Sequence, residues 1–427
     1  MVGIVLFGAM IVLMILGVPI VFAIGLAALL GTFTIGAAAP WIIIPSSMIN
    51  GMDSFPLLAI PFFILAGELM NRGGIAERLV AFANSLVGHI RGGLGHATVL
   101  SNTMLAMDTG SALAQVAAIG RIMIPEMEKR GHSREYATAL SCAASLIGPI
   151  IPPSITMVIY AVAAGASIGG LFLAGIVPGI LIAVSLMAYV YIRARVRGEL
   201  PEHRFSVREV VVRARDAFLA LLMPFIILGG IFAGVMTPTE SAAVAVLYAV
   251  LAGAFAFRRL GLRDLYECLL NTGIITSMIM LIVGAARIFS DLLVSEAVPQ
   301  AIVAGMIGIT SDPILLLLLV NVLLLVVGCL MDTTAAIIIL TPVLLPVVMK
   351  VGVDPKLFGI IMCINLVIGM ATPPVGVALY LASEIGKVRL EPLIAAIWPM
   401  LLVLIGVLFL ITYVPDIPLA LPRYFGY

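Results

Sequence analysis

The chain has 427 residues, of which 63% are hydrophobic and only 11% are charged, and its mean hydropathy is +1.24. Soluble domains carry about 25% charged residues, so this composition excludes a soluble protein. The net charge of +1 gives no sign of a nucleic-acid partner, and the sequence contains no HExxH, Walker, GxSxG or paired-carboxylate motif of an enzyme. The composition therefore predicts an all-α polytopic membrane protein that is not an enzyme.

Apolar segments near or above the roughly 20 residues needed to cross a bilayer recur along the whole chain. The first, residues 4–32, is preceded by no basic residue, and none occurs before Arg72. Because a cleavable signal has a charged N-terminal region, we expect this segment to be a retained span. Further spans are expected at 171–191, 218–236, 241–257 and 392–413, and Thr237 and Glu240 are spaced as an N-cap before one of them.

The first interrupted segment contains Asp108-Thr109-Gly110-Ser111 between two apolar arms, residues 96–107 and 111–124. At about 1.5 Å per residue these arms are roughly 18 and 21 Å long, whereas the hydrocarbon core is about 30 Å thick. Neither arm can cross the core. The lengths predict a re-entrant helical hairpin with its tip at 108–111, near mid-membrane, and its base at 126–134.

A second interruption follows at Gly148-Pro149-Ile150-Ile151-Pro152-Pro153-Ser154. Two consecutive prolines remove two N–H donors and disfavour helix at the residue before them. We therefore expect a broken helix, with helix over 137–147 that resumes at Ser154. Non-helical backbone at membrane depth persists only where protein or a cavity receives it, and transporter binding sites are built in this way.

An arginine-rich connection, residues 193–216, holds seven of the 23 basic residues. Basic loops favour the cytoplasm, so we place this connection there. Anionic membrane lipid or a partner subunit is an alternative reason for its charge. The connection divides the chain into a first repeat, residues 1–192, and a second repeat, residues 217–427.

Both interruptions recur in the second half at a constant offset of 221 residues. The offset superimposes Lys129 on Lys350, Gly131 on Gly352, and Pro152-Pro153 on Pro373-Pro374. A second broken helix is expected over 357–368. The second pair of arms, 313–331 and 335–349, is long enough for two ordinary spans as well. The duplication favours the re-entrant alternative, and it predicts an inverted repeat with two hairpins and two broken helices.

Small and hydroxyl-bearing residues are concentrated at the four interruptions. They expose carbonyl and hydroxyl oxygens, which hard cations prefer as ligands; the alternative is that they only allow close helix packing. Half-helices that restart after a break direct N–H groups at an anionic substrate. The predicted substrate-binding residues stand at these restarts: Ser111, Ser154, Thr334 and Pro374.

Asp108 and Asp332 are the only acids in their apolar segments. A charged side chain at the bilayer centre costs at least about 2.5 kcal/mol, which implies a partner for each carboxylate. Each is either a cation or proton site or the N-cap of the helix that follows.

The motifs at these interruptions resemble those of the large membrane subunit of the tripartite ATP-independent periplasmic (TRAP) transporters. The similarity runs along the chain through Pro125-Glu126-Met127, Ile147-Gly148-Pro149-Ile150-Ile151-Pro152-Pro153-Ser154, Thr237-Pro238-Thr239-Glu240, Met331-Asp332-Thr333 and Thr372-Pro373-Pro374-Val375-Gly376. One departure is visible. The first tip of this family commonly reads Ser-Gly-Ser-Ala, whereas this chain has Thr109-Gly110-Ser111-Ala112 after an added acid, Asp108.

The resemblance implies an elevator-type secondary transporter of the bacterial inner membrane. Such a transporter imports an organic acid, commonly a dicarboxylate, sialic acid or a related sugar acid, and a Na⁺ gradient drives the import. It also implies two partners, a small four-helix membrane subunit and a periplasmic substrate-binding protein. A stand-alone Na⁺/carboxylate symporter that needs no binding protein is the alternative.

The resemblance also places the coupling-ion sites, because in this family they lie where hairpin tips meet broken helices. The corresponding cation-binding residues here are Thr109, Gly110, Ser111, Gly148, Pro152, Asp332, Thr333, Thr334, Ala371 and Thr372.

Overall fold

The structure, a computed structural model, describes residues 2–34, 40–201, 204–310 and 312–427. These residues form 20 α-helices, a 3₁₀ turn over Phe55–Leu58 and a π-helical turn over Ala252–Ala256, with no strand among them. The prediction of an all-α protein is confirmed. The helices are α1 (Val2–Ile15), α2 (Ile20–Thr34), α3 (Pro40–Met52), α4 (Ala59–Arg72), α5 (Ile75–Val87), α6 (Gly93–Thr109), α7 (Ala112–Lys129), α8 (Arg134–Ser145), α9 (Ile155–Ala164), α10 (Ile168–Val196), α11 (Val207–Phe232), α12 (Pro238–Leu251), α13 (Leu262–Ser295), α14 (Val298–Ile309), α15 (Pro313–Leu330), α16 (Thr333–Lys350), α17 (Pro355–Gly369), α18 (Val377–Gly386), α19 (Leu390–Tyr413) and α20 (Asp416–Tyr424).

Eight helical segments of the described chain are long and apolar enough to cross a membrane. They are α4 with the 3₁₀ turn before it, α10, α11, α12 with the π-helical turn after it, α13, α15, α16 and α19. Other apolar helices, such as α9 and α18 with ten residues each, are too short to cross alone. The chain is a multi-pass membrane protein, as predicted.

The N-terminal apolar segment forms two helices, so the prediction of one span over residues 4–32 is wrong. α1 and α2 are joined by a turn at residues 16–19 and pack against each other. Gly17 adopts φ +82°, where any other residue would be strained, and Pro19 has no N–H for a continuing helix. The glycine ends α1, and the proline stands directly before α2.

The arginine-rich connection is shorter than the predicted 193–216, because helices extend into it from both sides. α10 continues to Val196 and α11 begins at Val207. Ser206 starts α11 as its N-cap, with its Oγ accepting the Glu209 N–H at 3.4 Å. Residues 202 and 203 of the predicted connection lie outside the described residues.

The two copies of the repeat contain matching helices. α7 and α16 both have 18 residues, and they begin and end at equivalent positions of the duplication. After each of them a glycine with positive φ, Gly131 or Gly352, leads into a broken helix. The Pro152-Pro153 and Pro373-Pro374 bonds are both cis. The duplication in the sequence is therefore also a duplication in the structure.

The two hairpins, α6/α7 and α15/α16, approach the centre from opposite ends of α10. The base of the first lies beside the C-terminal end of α10, where His132 Nδ1 is 3.6 Å from Glu199 Oε1 and Arg193 pairs with the same oxygen at 3.3 Å. The base of the second leads into α17, whose Lys356 packs on Gly170 at the N-terminal end of α10. α10 has 29 residues and is about 43 Å long, so the bases of the two hairpins lie on opposite sides of the molecule. Because both tips lie at the centre, the hairpins point in opposite directions.

The first halves of the two broken helices, α8 and α17, form the buried centre. Every residue of α8 from Tyr136 to its end is buried. The same holds for α17 from Leu357 to its end. Gly328 of α15 lies directly on α17, because a Cβ on Gly369 would be 2.4 Å from the Gly328 carbonyl carbon. This contact between two backbones allows the second hairpin to pack closely on the centre.

The predicted N-cap before α12 is a complete capping box. Thr237 Oγ accepts the Glu240 N–H at 3.3 Å, and Glu240 Oε2 accepts the Thr237 N–H at 2.7 Å. The two side chains satisfy donors that the start of a helix leaves open.

We expect Thr237→Ala to lower the free energy of unfolding by about 1 kcal/mol, because it removes this cap. Thermal melting of the purified chain in detergent measures the change. Ser277→Ala is the control, since the Ser277 hydroxyl donates to the Gly273 carbonyl within its own helix and its removal should leave the melting temperature unchanged. Equal losses in both variants would contradict the role of the cap.

Candidate functional site

The two hairpin tips and the two breaks meet around one cavity of about 390 Å³. Residues from both tips and both breaks line it: Gly110, Ser111, Pro149, Asp332, Thr333, Thr334 and Met370. The first turns of α7 and α9 add Ala112, Leu113, Ile155 and Thr156. Non-helical backbone from both repeats therefore faces a cavity, which is where a membrane protein tolerates it.

The first tip is a two-residue turn between α6 and α7. Gly110 adopts φ +57°, and Ser111 is extended, so that its Oγ accepts the Ala114 N–H at 3.4 Å and caps α7. Gly110 also lies on the first break, because an added Cβ would be 2.7 Å from the Pro153 carbonyl oxygen. Both the positive φ and the close approach require glycine at this position.

A buried amide network holds the first tip to the helices beneath it. The Gln115 side chain accepts the Ala106 N–H at 2.9 Å and donates to Asn102 Oδ1 and to the Ser145 carbonyl, both at 3.2 Å. Gly148 leaves room for it, since a Cβ there would be 2.8 Å from the end of the Gln115 side chain. The network joins α6, α7 and α8. The sequence analysis missed Gln115, although an amide in an apolar hairpin arm is a signal for such a network.

The second tip is capped by an acid. The Asp332 carboxylate accepts the N–H groups of Thr334 at 2.8 Å and Ala335 at 3.4 Å, and it thereby caps α16. Of the two alternatives for Asp332, the N-cap is confirmed; the same residue also lines the cavity. Thr333 Oγ1 is buried and has no hydrogen-bond partner within the described chain.

The first break is closed by its own hydroxyl groups. Ser154 and Thr156 both donate to the Pro149 carbonyl, and Ser154 Oγ accepts the Met157 N–H at 3.3 Å as the N-cap of α9. Ser154 is predicted to bind substrate, but its hydroxyl is used within the break, and Thr156 is the residue that lines the cavity. α9 begins at Ile155, one residue after the predicted restart.

The second break is tied to the second hairpin. The Gly376 N–H donates to the Cys329 carbonyl at 3.4 Å, and the Ala378 N–H donates to the Met370 carbonyl at 2.9 Å. Thr372 Oγ1 donates back to the Ile368 carbonyl at 2.8 Å. The bond to Cys329 ties the break to the end of α15, and the other two bonds run within the break and to the last turn of α17.

The predicted site residues therefore fall into two groups. Those on the cavity wall come from the tips: Gly110, Ser111, Asp332, Thr333 and Thr334. The others lie in the last turn of α6 or in the breaks, without lining the cavity: Thr109, Gly148, Pro152, Ser154, Ala371, Thr372 and Pro374.

The opposite wall of the cavity is one face of α13, which the sequence analysis missed. Four apolar side chains of this helix line it: Ile275, Met278, Ile279 and Ile282. Their spacing is that of any buried helical face. No polar residue marks them, so the sequence carries no signal that distinguishes them from core residues.

Asp108 lies in the last turn of α6 and does not cap α7, because Ser111 does. The N-cap alternative for Asp108 is therefore wrong. Its side chain is 3% exposed, and Oδ1 has no hydrogen-bond partner within the described residues. Its backbone carbonyl packs on α4, where a Cβ on Gly67 would be 3.1 Å from that oxygen. A buried carboxyl oxygen without a partner is costly and needs a proton or a cation.

The oxygen atoms around the tips suit a hard monovalent cation. Thr333 Oγ1, on the cavity wall, is buried and unpartnered in the described chain. Asp108 Oδ1 is also buried and unpartnered there, but Asp108 does not line the cavity. The described residues contain no group of three or more His, Cys, Asp or Glu side chains that could hold a metal ion. Hydroxyl, carboxyl and carbonyl oxygens fit Na⁺ better than they fit a transition metal, which prefers nitrogen and sulfur ligands.

Comparison with known proteins gives consistent matches along the chain. A family model described as "Tripartite ATP-independent periplasmic transporter, DctM component" matches residues 7–417. The isethionate TRAP transporter permease protein DctMQ of Oleidesulfovibrio alaskensis is 43% identical over 97% of this chain, which spans 65% of that protein. The C4-dicarboxylate TRAP transporter large permease protein DctM of Pseudomonas aeruginosa is 42% identical, with 88% of each chain covered. The sialic acid TRAP transporter large permease protein SiaM of Vibrio cholerae is 40% identical, with 89% of each covered.

Solved transporter structures share the fold. The YdaH transporter of Alcanivorax borkumensis superimposes with a TM-score of 0.63 over 88% of this chain and 89% of its own, at 14% identity. MtrF of Neisseria gonorrhoeae gives a TM-score of 0.56 over 88% and 84%, at 15% identity. The predicted fold class, an all-α transporter with paired hairpins and broken helices, is confirmed.

Proposed function

Because this chain belongs to the DctM component family of the tripartite ATP-independent periplasmic transporters, we propose that it is the membrane subunit through which an organic acid is imported. The family consists of transporter permeases, so the chain is not an enzyme, as predicted. The observation that carries the proposal is the meeting of two inverted hairpin tips around a single cavity. The proposal covers the substrate, the coupling ion, the mechanism and the partners.

The proposed substrate is a small organic anion. Relatives are named for isethionate, C4-dicarboxylate and sialic acid, all of which carry acidic groups. In this chain three helices, α7, α9 and α16, begin at or beside the cavity wall. The N–H groups at such helix starts favour negative charge. Ser111 and Thr334 add hydroxyl groups on the wall.

The proposed coupling ion is Na⁺, transported together with the substrate. Its ligands would come from the tip hydroxyl groups and the carbonyl groups at the breaks, since these supply an oxygen shell. A bound Na⁺ would lower the cost of placing a carboxylate in a membrane cavity, because it offsets the substrate's charge. Import of substrate would then follow the Na⁺ gradient.

The proposed mechanism is elevator movement of the hairpins and broken helices against the remaining helices. The apolar face of α13 supports it, because that wall makes no hydrogen bond that must break when the cavity moves along it.

The proposed location is the bacterial inner membrane.

The proposed partners are a small membrane subunit and a periplasmic binding protein that delivers the substrate. The name of the relative DctMQ and its greater length support a second membrane component, since this chain spans 65% of that protein.

Uptake into proteoliposomes tests the proposal. The vesicles would contain this chain and its small subunit, and each organic acid would be offered with and without the matching binding protein and with Na⁺ or K⁺ gradients. We expect uptake that requires both Na⁺ and the binding protein. Uptake that needs Na⁺ but no binding protein would favour the stand-alone symporter, and uptake that is indifferent to Na⁺ would contradict the coupling.

We expect Thr333→Val to raise the Na⁺ concentration for half-maximal uptake about tenfold, which corresponds to the loss of one ligand contact of about 1.4 kcal/mol. The hydroxyl has no partner to lose, so folding should be unaffected. A second measurement is the rise in melting temperature on adding Na⁺, which should shrink to the same degree.

Thr341→Val is the matched control for this substitution. Thr341 lies in the same helix, but its hydroxyl donates to the Ile337 carbonyl at 2.6 Å, away from the cavity. We expect an unchanged Na⁺ requirement in this variant. An identical shift in both variants would remove Thr333 from the ligand set.

A further inference from the structure

An open groove of about 510 Å³ lies between α10 and α19, apart from the cavity between the hairpin tips. Seven of its lining residues follow one face of α10 at intervals of three and four: Ser185, Ala188, Tyr189, Ile192, Arg193, Val196 and Arg197. Val403 of α19 forms the other side. The groove runs from Ser185 to Arg197, and these 12 helical steps correspond to a length of about 18 Å.

The groove changes its chemistry along its length. One end, around Ser185 and Ala188, is lined by small side chains, and the other end carries the two arginines. Tyr189 lies between them. Ile192 is 61% exposed and Val196 83% exposed, although both are apolar. Such a gradient over about 18 Å matches an acyl chain that leads to a charged headgroup.

Arg193 and Arg197 differ in what they already bind. Arg193 pairs with Glu199 at 3.3 Å, and its guanidinium lies 3.2 Å above the centre of the Tyr136 ring. Arg197 is exposed and forms no ion pair within the described residues. Burial lowers the pKa of the neighbouring His132, so this histidine adds little positive charge at neutral pH. Arg197 is therefore the uncompensated charge at the mouth of the groove.

The basic end of α10 belongs to the connection that the positive-inside rule places in the cytoplasm. The cytoplasmic leaflet carries anionic lipids, and basic pockets between membrane helices on that side bind their headgroups. A free phosphate ion would use only the arginine end and would leave the apolar length unexplained.

We propose that this groove binds one anionic phospholipid, with its phosphate at Arg197 and one acyl chain along Ile192, Ala188 and Val403. The site lies outside the transport cavity and does not depend on the proposed substrate or coupling ion. It would place an anionic lipid of the cytoplasmic leaflet beside the base of the first hairpin.

Native mass spectrometry of the full chain tests the proposal. The chain would be reconstituted in nanodiscs of phosphatidylcholine with a minority of phosphatidylglycerol and then released, and the lipids retained per chain would be counted. We expect wild type to retain one phosphatidylglycerol in preference to phosphatidylcholine. Arg197→Gln should lower this retention about fivefold, the effect of one basic residue at a membrane surface.

Arg195→Gln is the matched control, because Arg195 is exposed on the same helix but does not line the groove. We expect normal retention in this variant. Equal losses in Arg195→Gln and Arg197→Gln would show attraction by general surface charge and would overturn the site. Wild type without a preference for phosphatidylglycerol would overturn it as well.

A second variant tests the acyl part of the groove. Ala188→Trp fills the apolar part of the groove and keeps both arginines, so retention of phosphatidylglycerol should fall as in Arg197→Gln. Normal retention in a variant that melts like wild type would overturn the proposed lipid pose. Displacement of the lipid by inorganic phosphate would identify a free-anion site instead.

Discussion

We expect Gly110→Ala to reduce organic-acid uptake at least tenfold while the chain remains folded. At φ +57° an alanine is strained by about 1–2 kcal/mol. Its Cβ would also be 2.7 Å from the Pro153 carbonyl oxygen, which is backbone and cannot rotate away. The tip would have to move away from the first break, and the part of the cavity wall that these two segments form together would open. About 1.4 kcal/mol added to the transport barrier corresponds to a tenfold slower rate.

Gly131→Ala is the control that separates backbone strain from the close contact. Gly131 has φ +88° at the base of the same hairpin, but no atom of the described residues lies within 4 Å of an added Cβ. We expect it to destabilise the chain slightly and to leave uptake per folded molecule near that of wild type. If the two variants lose uptake equally, the contact between tip and break is not what matters. Near-normal uptake by Gly110→Ala would contradict the assignment of the tip to the site.

The largest effect on stability is expected from Gly369→Ala. Its Cβ would be 2.4 Å from the carbonyl carbon and 2.5 Å from the Cα of Gly328 in α15. Because both clashing partners are backbone atoms, α15 would have to move away from α17 as a whole. Overpacking of this kind costs typically 1–3 kcal/mol and sometimes more, and we expect a loss of about 3 kcal/mol. Thermal melting and the fraction of monodisperse protein in detergent measure it.

Gly406→Ala provides the comparison, since it also places alanine in a membrane-spanning helix. Within the part of the chain that the structure describes, nothing lies within 4 Å of a Cβ at Gly406 of α19. Alanine is also the better helix former by about 1 kcal/mol. We therefore expect an unchanged or slightly higher melting temperature. A similar loss in both variants would mean that the contact between Gly328 and Gly369 does not limit the packing.

The long apolar helices were predictable from the sequence, because an apolar composition over about 20 residues is enough to identify a membrane-spanning helix. The prediction failed at residues 4–32, where uniform hydropathy conceals a turn. Gly17 and Pro19 mark that turn, but a local signal of two residues is weaker than an apolar run around it. The hairpin arms were predicted too short: α6 and α7 extend to Gly93–Thr109 and Ala112–Lys129, since polar residues at helix ends do not stop a helix.

The candidate site was predictable in part. Glycine and hydroxyl residues at helix breaks stand out in an apolar sequence, and five of the predicted residues line the cavity: Gly110, Ser111, Asp332, Thr333 and Thr334. The roles of individual hydroxyl groups were not predictable. Ser154 and Thr372 differ from the tip residues only in where their hydroxyl groups find an acceptor, and that depends on the folded backbone.

The sequence by itself determined that this chain is an all-helical membrane protein built from a duplicated unit with two interruptions per copy. Hydropathy, proline pairs and a constant offset are local or repetitive signals, so they need no knowledge of contacts. Only the tertiary structure decided which residues face the cavity, that α13 supplies its apolar wall, and that Gly328 meets Gly369 with backbone against backbone. These features join residues far apart in the chain, and in an apolar environment many alternative helix faces have nearly the same transfer energy. The choice among them therefore rests on packing and hydrogen bonding, which exist only in the folded molecule.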